Sequence, residues 1–258
     1  MLSRVLPSAV LRPFVSHYWV SHNNRETTHT IMPDGSVDLV MAADGTSTDS
    51  WLYGTSTSAA EVPLSAGTNY LGVRFRPGQA RHFMSLAAKE LTNDHAAANQ
   101  SLRFSLEEVP ERLVLPETLR RLDQLFEKHL TRRPPERQRL DQVVRWIEAH
   151  AGNVRIEEAT AMYGKSRRQM ERTFLDMVGV TPKLFASIVR FQNAAARIAR
   201  PGAVLAEVAL ASGYSDQSHM TNEFRRLSGT SPSRFLSQHV AFLQDASGPA
   251  EQNRAILT

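Results

Sequence analysis

The sequence of 258 residues contains no cysteine. This absence excludes disulfide bonds, thiolate metal sites and a cysteine nucleophile, and it suits a reducing compartment. No apolar run approaches the roughly 18 residues of a membrane span. The first residues, MLSRVLPSAVLRPF, have prolines and an arginine where a signal peptide needs an unbroken apolar stretch. We therefore expect a cytoplasmic protein that does not associate with membranes.

Patterns typical of enzymes are also missing. The nine histidines include no His-Glu-x-x-His pair and no other metal-ligand spacing. The tetrapeptide YGKS at residues 163–166 lacks the upstream glycine and the strand of a phosphate-binding loop. The sequence therefore predicts no catalytic residue, no metal and no cofactor. The alternative is an enzyme with a small-molecule site in a β-rich N-terminal domain and an accessory helical domain.

The net charge of +4 is unevenly distributed along the chain. Residues 137–240 contain 15 Lys and Arg against 9 Asp and Glu, whereas residues 1–136 contain 14 against 15. A local excess of positive charge favours the binding of polyphosphates, because binding releases condensed counterions. A basic solvated surface is the alternative explanation.

The first hundred residues predict strands joined by turns. Apolar side chains alternate in residues 14–20, 36–42 and 69–75, which is the period of a β-strand. From about residue 79 the pattern favours helix.

The segment TRRPPERQR, residues 131–139, interrupts the pattern, since two adjacent prolines cannot continue a helix. We place a domain boundary there and predict an α+β chain. Its N-terminal domain is β-rich, and a closed barrel is one arrangement that we consider for its sheet. Its second domain is all-α. The predicted bounds are 1–133 for the β-rich sensor domain with its C-terminal helices, 134–244 for the helical domain and 245–258 for a flexible tail.

Two segments fifty residues apart share the skeleton F-x4-G-x2-P-x2-F. FLDMVGVTPKLF ends at Phe185 and FRRLSGTSPSRF ends at Phe235. Each is the end of a unit that consists of a short helix, a glycine-containing turn and an amphipathic second helix. Ser166 and Asp216 lie at corresponding N-cap positions of the second helices. The repeat predicts two helix-turn-helix units. Between them the apolar stripe of KLFASIVRFQNAAARIA predicts a connecting helix of roughly 25 Å.

The polar faces of the two second helices carry residue types that read DNA bases. Arginine can pair bidentately with guanine, asparagine and glutamine can pair with adenine, and serine and threonine can serve either role. A pair of such units can reach successive major grooves of one duplex. The DNA-binding candidates are Arg167, Arg168, Glu171 and Arg172 in the first unit and Gln217, Ser218, Thr221 and Asn222 in the second.

Two charged residues of the N-terminal domain are candidates for binding a small-molecule effector. In the predicted strand Arg74 points away from the face of Val73 and Phe75. Asp38 follows the tripeptide PDG at residues 33–35. A plain salt bridge for Arg74 and a plain turn for residues 33–35 are the alternatives.

The helical repeat resembles the DNA-binding domain of the AraC/XylS family of transcriptional regulators. The second unit matches the family pattern through AEVALASGYSDQSHMTNEFRRLSGTSPSRF, and the first matches through GKSRRQMERTFLDMVGVTPKLFASIVRFQNAA. The resemblance covers roughly residues 138–240. It implies seven helices that bind promoter DNA in bacteria, with His219 as a contact to the DNA backbone. Asn222 departs from the pattern, because the family very often has arginine there.

The N-terminal segments HYWV, MPDGSVDLVM, GVRFRPGQARHF and AAKELTNDHAAA resemble a subgroup of the same family that lacks the arm and barrel motifs of sugar-responsive members. This resemblance implies a compact β-rich sensor with flanking helices. The expected partners are double-stranded promoter DNA and a small-molecule effector, with RNA polymerase and a second copy bound through the N-terminal domain as further candidates. Activation and repression both stay open.

Overall fold

The computed structural model describes residues 2–235 except residues 111 and 137. The predicted tail over residues 245–258 lies outside these described residues. The strands of the described part are β1 Leu2–Val5, β2 Val15–Ser21, β3 Thr28–Ile31, β4 Asp38–Ala43, β5 Thr48–Tyr53, β6 Ala60–Pro63, β7 Asn69–Phe75 and β8 His95–Ala97. The helices are α1 Ala98–Ser101, α2 Pro116–Arg132, α3 Arg139–Ala149, α4 Ile156–Tyr163, α5 Arg167–Val178, α6 Pro182–Ile198, α7 Leu205–Ala211 and α8 Gln217–Ser228.

Six strands form one antiparallel sheet in the order β1-β2-β7-β4-β5-β8, and β3 pairs with β6 in a separate two-stranded ribbon. In the described part of the chain, β1 and β8 are the edges of the large sheet and do not pair with each other. The sheet is therefore open, and the barrel that the sequence left as one form of this domain is not formed.

One face of the large sheet packs on α2 to form the core of the N-terminal domain. Val73 and Phe75 of β7 are fully buried on this face. The ring of Phe75 lies 5.2 Å from that of Phe83, and Phe83 lies 4.9 Å from Phe126 of α2. Each such aromatic side chain removes roughly 150–250 Å² from water. Phenylalanines therefore join the sheet to the helix that covers it.

Residues 79–97 differ from the helix that the sequence predicts there. They form two short 3-10 helices, Ala80–His82 and Ala88–Leu91, followed by β8. The backbone N–H of Gly54 donates to Asp94 O, and that of Arg103 donates to Phe83 O. The backbone of this segment therefore bonds to other parts of the domain and does not continue as one helix.

The helical domain contains two separate apolar clusters that share one helix. Phe174 of α5 and Phe185 of α6 belong to the first cluster, and Phe191 of α6 and Phe224 of α8 belong to the second. The connecting helix α6 has 17 residues, as the apolar stripe predicted. None of the helices in the described part of the chain is long and apolar enough to cross a membrane.

Candidate nucleic-acid interface

The first helix-turn-helix unit consists of α4, a tight turn and α5. Gly164 ends α4 in the left-handed conformation, with φ of 71°. Ser166 then caps α5, because its hydroxyl accepts from Gln169 N while Gln169 Oε1 accepts from Ser166 N at 3.2 Å. Ser166 is therefore the N-cap that the sequence predicted, and with Gln169 it forms a capping box. It leaves the first turn of α5 exposed at the surface.

The exposed face of α5 carries three arginines with different environments. Arg167 is held by carboxylates, since its Nε lies 2.9 Å from Glu171 Oε1 and its Nη1 lies 3.5 Å from Glu157 Oε1. The hydrogen bond to Glu171 raises the pKa of Arg167. Arg168 and Arg172 are exposed and form no ion pair within the described residues. These two guanidinium groups are therefore free to bind an external acceptor.

The second unit repeats this arrangement in α7 and α8. Asp216 Oδ1 accepts the backbone N–H of His219 at 2.7 Å, and this hydrogen bond lowers the pKa of Asp216. Gln217, Ser218, His219 and Asn222 are exposed. Thr221 is half-buried, and its hydroxyl donates to Gln217 O.

His219 lies at the third position of α8. Its Nδ1 is 3.1 Å from the hydroxyl of Ser215, and its ring contacts the ring of Tyr214 edge to face at 5.2 Å. The imidazole is therefore held at the exposed end of the helix where the N–H groups of the first turn also point. This position suits a contact to a phosphate.

The apolar sides of α5 and α8 face the two clusters. The apolar side chains on these sides are buried, namely Met170, Phe174, Met177, Met220, Phe224 and Leu227. Because these side chains fix the rotation of each helix, the polar side chains on the opposite side face solvent.

A buried polar network fixes α8 against α6. Arg190 of α6 donates twice to Glu223, from Nε at 3.2 Å and from Nη2 at 3.0 Å. The hydroxyl of Tyr214 donates to Glu223 Oε1 at 3.0 Å, and the Arg190 guanidinium lies 5.0 Å above the Tyr214 ring. Burial, and then the neighbouring Glu223, raise the pKa of Tyr214. The network holds α8 against α6, and the sequence did not indicate it.

The structure adds candidates that the sequence reasoning missed. Arg225 lines a shallow groove along α8 together with Gln217, Ser218, Thr221 and Asn222. It lies four residues after Thr221, so helical spacing was the available signal. Beside the first unit, a depression is lined by Arg139 and Lys165, with Tyr163 and Gln138.

The two effector candidates of the N-terminal domain lie together in a buried ion-pair cluster. Arg74 Nη2 is 2.8 Å from Asp38 Oδ2 and 2.7 Å from Asp34 Oδ2. Trp19 Nε1 donates to Asp38 at 3.4 Å. Burial raises the pKa of Asp34 to about 6, against the attraction of Arg74. The side chain of Arg74 therefore already has two carboxylate partners within the chain.

Residues 33–35 form a turn next to this cluster. Asp34 Oδ1 accepts the backbone N–H of Ser36 at 3.0 Å, and Gly35 has φ of 71°. In the sequence analysis, a plain turn and a plain salt bridge were the alternatives to effector binding. The structure contains both of them. No group of three or more His, Cys, Asp or Glu side chains that could hold a metal ion occurs among the described residues.

Comparisons with known proteins match the two parts of the chain separately. Residues 159–238 match a family model described as a helix-turn-helix domain, and residues 3–97 match one described as a domain of unknown function. The HTH-type transcriptional activator RhaS of Klebsiella pneumoniae is 29% identical over 107 residues. This alignment covers 41% of the present chain and 38% of RhaS.

Similar solved structures include a probable AraC family transcriptional regulator from Rhodopseudomonas palustris, with 30% identity, a TM-score of 0.35 and coverage of 39% of this chain and 95% of that one. ToxT from Vibrio cholerae with an unsaturated fatty acid bound has 12% identity, a TM-score of 0.44 and coverage of 85% and 94%.

The C-terminal part of the chain is thus a double helix-turn-helix domain, in which the capped helices α5 and α8 pack on the shared connecting helix α6. This domain is similar to the helix-turn-helix family model and to RhaS, and a β-rich N-terminal domain precedes it in the chain.

Proposed function

We propose that the chain is a sequence-specific DNA-binding transcriptional regulator that inserts α5 and α8 into successive major grooves of promoter DNA. One observation carries the proposal. Two capped helices, Arg167–Val178 and Gln217–Ser228, bury their apolar sides in separate clusters and expose polar faces that contain base-reading residue types.

The distance between the two units supports binding to one duplex. Helix α6 has 17 residues and therefore spans roughly 25 Å at 1.5 Å per residue. Successive major-groove faces of B-DNA lie about 34 Å apart. The widths of the units, or a bend in the DNA, account for the difference. One chain would then read two half-sites.

The roles of the individual side chains follow from their environments. Arg168 and Arg172 are proposed to read bases from α5, while Arg167 and Glu171 hold each other in position on the same face. Gln217, Ser218, Thr221 and Asn222 are proposed to read bases from α8, and His219 to contact a phosphate.

The N-terminal domain is proposed to be the sensor, within the bounds 1–133, and residues 134–244 to be the reader. A small molecule that contacts Arg74 or Asp38 would have to compete with the ion pairs that these residues make with each other and with Asp34. RNA polymerase and a second copy are further proposed partners. We propose that the protein acts in the cytoplasm and catalyses no reaction.

Selection of bound sequences from a random duplex pool by the full-length protein tests this function. We expect enrichment of one bipartite sequence. Binding of that duplex should weaken by about 10³–10⁵ between 50 and 200 mM salt if some 6–10 phosphates are contacted. Recovery of no common sequence, with affinity equal for selected and scrambled duplexes, would refute the proposal.

A further inference from the structure

The C-terminal ends of both reading helices bond to the N-terminal domain. At the end of α5 the hydroxyl of Thr55 donates to Val178 O at 2.6 Å, and the hydroxyl of Thr92 donates to Gly179 O at 2.6 Å. Near the end of α8 the backbone N–H of Ala59 donates to Leu227 O at 2.7 Å. The last carbonyls of a helix have no partners within the helix, so these donors satisfy groups that would otherwise need water.

The contact at α5 is sealed from solvent. Thr55 is 0% exposed and Val178 is 1% exposed. If this hydrogen bond is broken, no water can replace either partner. Breaking it therefore costs more free energy than breaking an exposed hydrogen bond. The contact is therefore part of a packed interface between the two domains.

One short loop reaches both helix-turn-helix units. Thr55 and Ala59 are four residues apart in the loop of residues 54–59, which joins β5 to β6. We call this segment the bridging loop. It is held within its own domain, because Gly54 N donates to Asp94 O at 3.0 Å and Thr57 N donates to Asn93 Oδ1 at 2.8 Å. A side chain at Gly54 would also meet the backbone carbonyl of Leu91.

Helix α6 joins the two units along the chain. Their apolar clusters are separate, and α6 contributes residues to both. The N-terminal domain also contacts α6. Gln192 Nε2 donates to Pro33 O at 2.9 Å, and Gly35 lies so close to Phe185 that a Cβ there would be 2.5 Å from the ring. The bridging loop is thus a second connection between α5 and α8, in addition to α6.

These contacts leave the proposed reading surfaces open. Ser166 and Asp216 begin α5 and α8 at one end, and the bridging loop bonds near the other end of each helix. Arg168, Arg172 and Asn222 stay exposed while the domains are in contact. The N-terminal domain therefore contacts both helices without covering the side chains that would face DNA.

We propose that the bridging loop and Thr92 fix the relative orientation of α5 and α8, so that the N-terminal domain determines which half-site spacing the protein reads. The inference rests on the proposed function for its DNA part. The residues act as positioning residues, because they contact the helices and not the nucleic acid.

The test compares the full-length protein with the double variant Thr55→Val, Thr92→Val. Valine keeps the shape of threonine and removes the hydroxyl donor. Thr48→Val is the matched control, since Thr48 is exposed at the start of β5. Binding is measured on duplexes in which the gap between two half-sites changes one base pair at a time, and on a single half-site.

Wild type and the control should prefer one gap over its neighbours by about tenfold, within the usual range of coupling between sites. The double variant should lose most of this preference while its affinity for the single half-site is unchanged. An unchanged gap preference in the double variant overturns the inference. Failure of every protein to bind a specific duplex overturns the proposed function instead.

A second measurement decides the positioning role without DNA. The chain has no cysteine, so Glu158→Cys in α4 and Glu207→Cys in α7, both at exposed positions, can be spin-labelled uniquely. We expect a narrow distance distribution between the labels in the otherwise wild-type protein and a broader one in the double variant. Equal widths in the two proteins, with both still folded by circular dichroism, would overturn the positioning role of Thr55 and Thr92.

Discussion

Individual arginines on α5 differ in what they can bind. Arg167 is occupied by Glu171 and Glu157, whereas Arg168 and Arg172 have no ion pair within the described part of the chain. A guanidinium with all its donors available can bind guanine bidentately. The difference between neighbouring arginines is therefore visible in the structure, although the sequence presents them as equivalent members of one polar face.

Replacing Arg172 with alanine should weaken specific binding by about 1–3 kcal/mol and relax base preference at one position. Fluorescence anisotropy on the selected duplex and on single-base variants of it measures both effects. Arg121→Ala is the control, because Arg121 is exposed on α2 and pairs with Glu108 in the N-terminal domain. If Arg172→Ala keeps both the affinity and the base preference of wild type, α5 does not read DNA through this face.

His17 gives the protein a predictable response to acid. Burial, and then the cations Arg4 and Arg74, lower the pKa of His17 from 6.5 to about 4. The histidine of the unfolded state binds the proton more tightly than His17 of the folded state. The free energy of unfolding therefore decreases as the pH falls from about 6.5 towards 4. The loss should be about 2 kcal/mol between pH 7 and pH 5. The raised pKa of Asp34 acts in the opposite direction, since its stability contribution is lost as the pH rises towards 6.

Thermal melting of wild type and His17→Gln from pH 7 to pH 5 isolates the histidine from other titrating groups. The midpoint of wild type should fall more steeply with acid than that of the variant. The control His22→Gln, at an exposed position, should follow wild type. Parallel curves for wild type and His17→Gln would contradict the assignment.

At the scale of elements, α8 depends on a buried ion pair as well as on apolar packing. The side chains of Arg190 and Glu223 are 18% and 9% exposed, and they share two hydrogen bonds. Removing one partner leaves the other charge buried without compensation, whereas replacing both by apolar residues is often close to neutral.

Glu223→Leu should therefore destabilise the second unit by about 3–5 kcal/mol, and the double variant Arg190→Met, Glu223→Leu should recover most of this loss. Urea unfolding of the two single variants and the double variant measures the coupling between the residues. Additive losses in the double variant would show that the pair does not hold α8 in place.

Helices α5, α6 and α8 could be predicted from the sequence because local signals agree with one another. Ser166 and Asp216 are N-caps, and Gly179 and Gly229 end the helices in the left-handed conformation. Strands β3 and β6 could not be predicted in the same way. Each has four residues, and β3 is mostly exposed with the sequence THTI. Such strands form because a partner strand is available. The alternation of apolar residues within one short segment does not reveal that partner.

At the scale of the whole molecule, the N-terminal domain also contacts α3 and α5 of the helical domain. Arg81 Nη2 lies 2.9 Å from Asp141 Oδ1 of α3, and Gln79 donates to the same oxygen at 3.0 Å. On α5, Lys89 Nζ lies 2.7 Å from Asp176. The exposed Lys89 pair contributes little to stability, but the half-buried Arg81 pair fixes the start of the helical domain.

The docking of the two domains is the part of the structure that the sequence could not predict. The bond from Thr55 joins residues 123 positions apart, and the bond from Ala59 joins two backbone groups. A backbone acceptor carries no side-chain signature, so no motif marks these contacts. The two readers could be predicted because each is a local unit. Their attachment to the N-terminal domain could not be predicted, because it depends on shape complementarity between distant parts of the chain.

The central claim is that both α5 and α8 enter the major groove of one duplex. Methylation-protection footprinting of the full-length protein on its selected duplex tests this most directly. We predict two protected major-groove segments on the same face of the DNA, about 10 base pairs apart. Arg172→Ala should weaken protection of one segment, and Gln217→Ala should weaken protection of the other. A single protected segment that Gln217→Ala leaves unchanged would contradict the account.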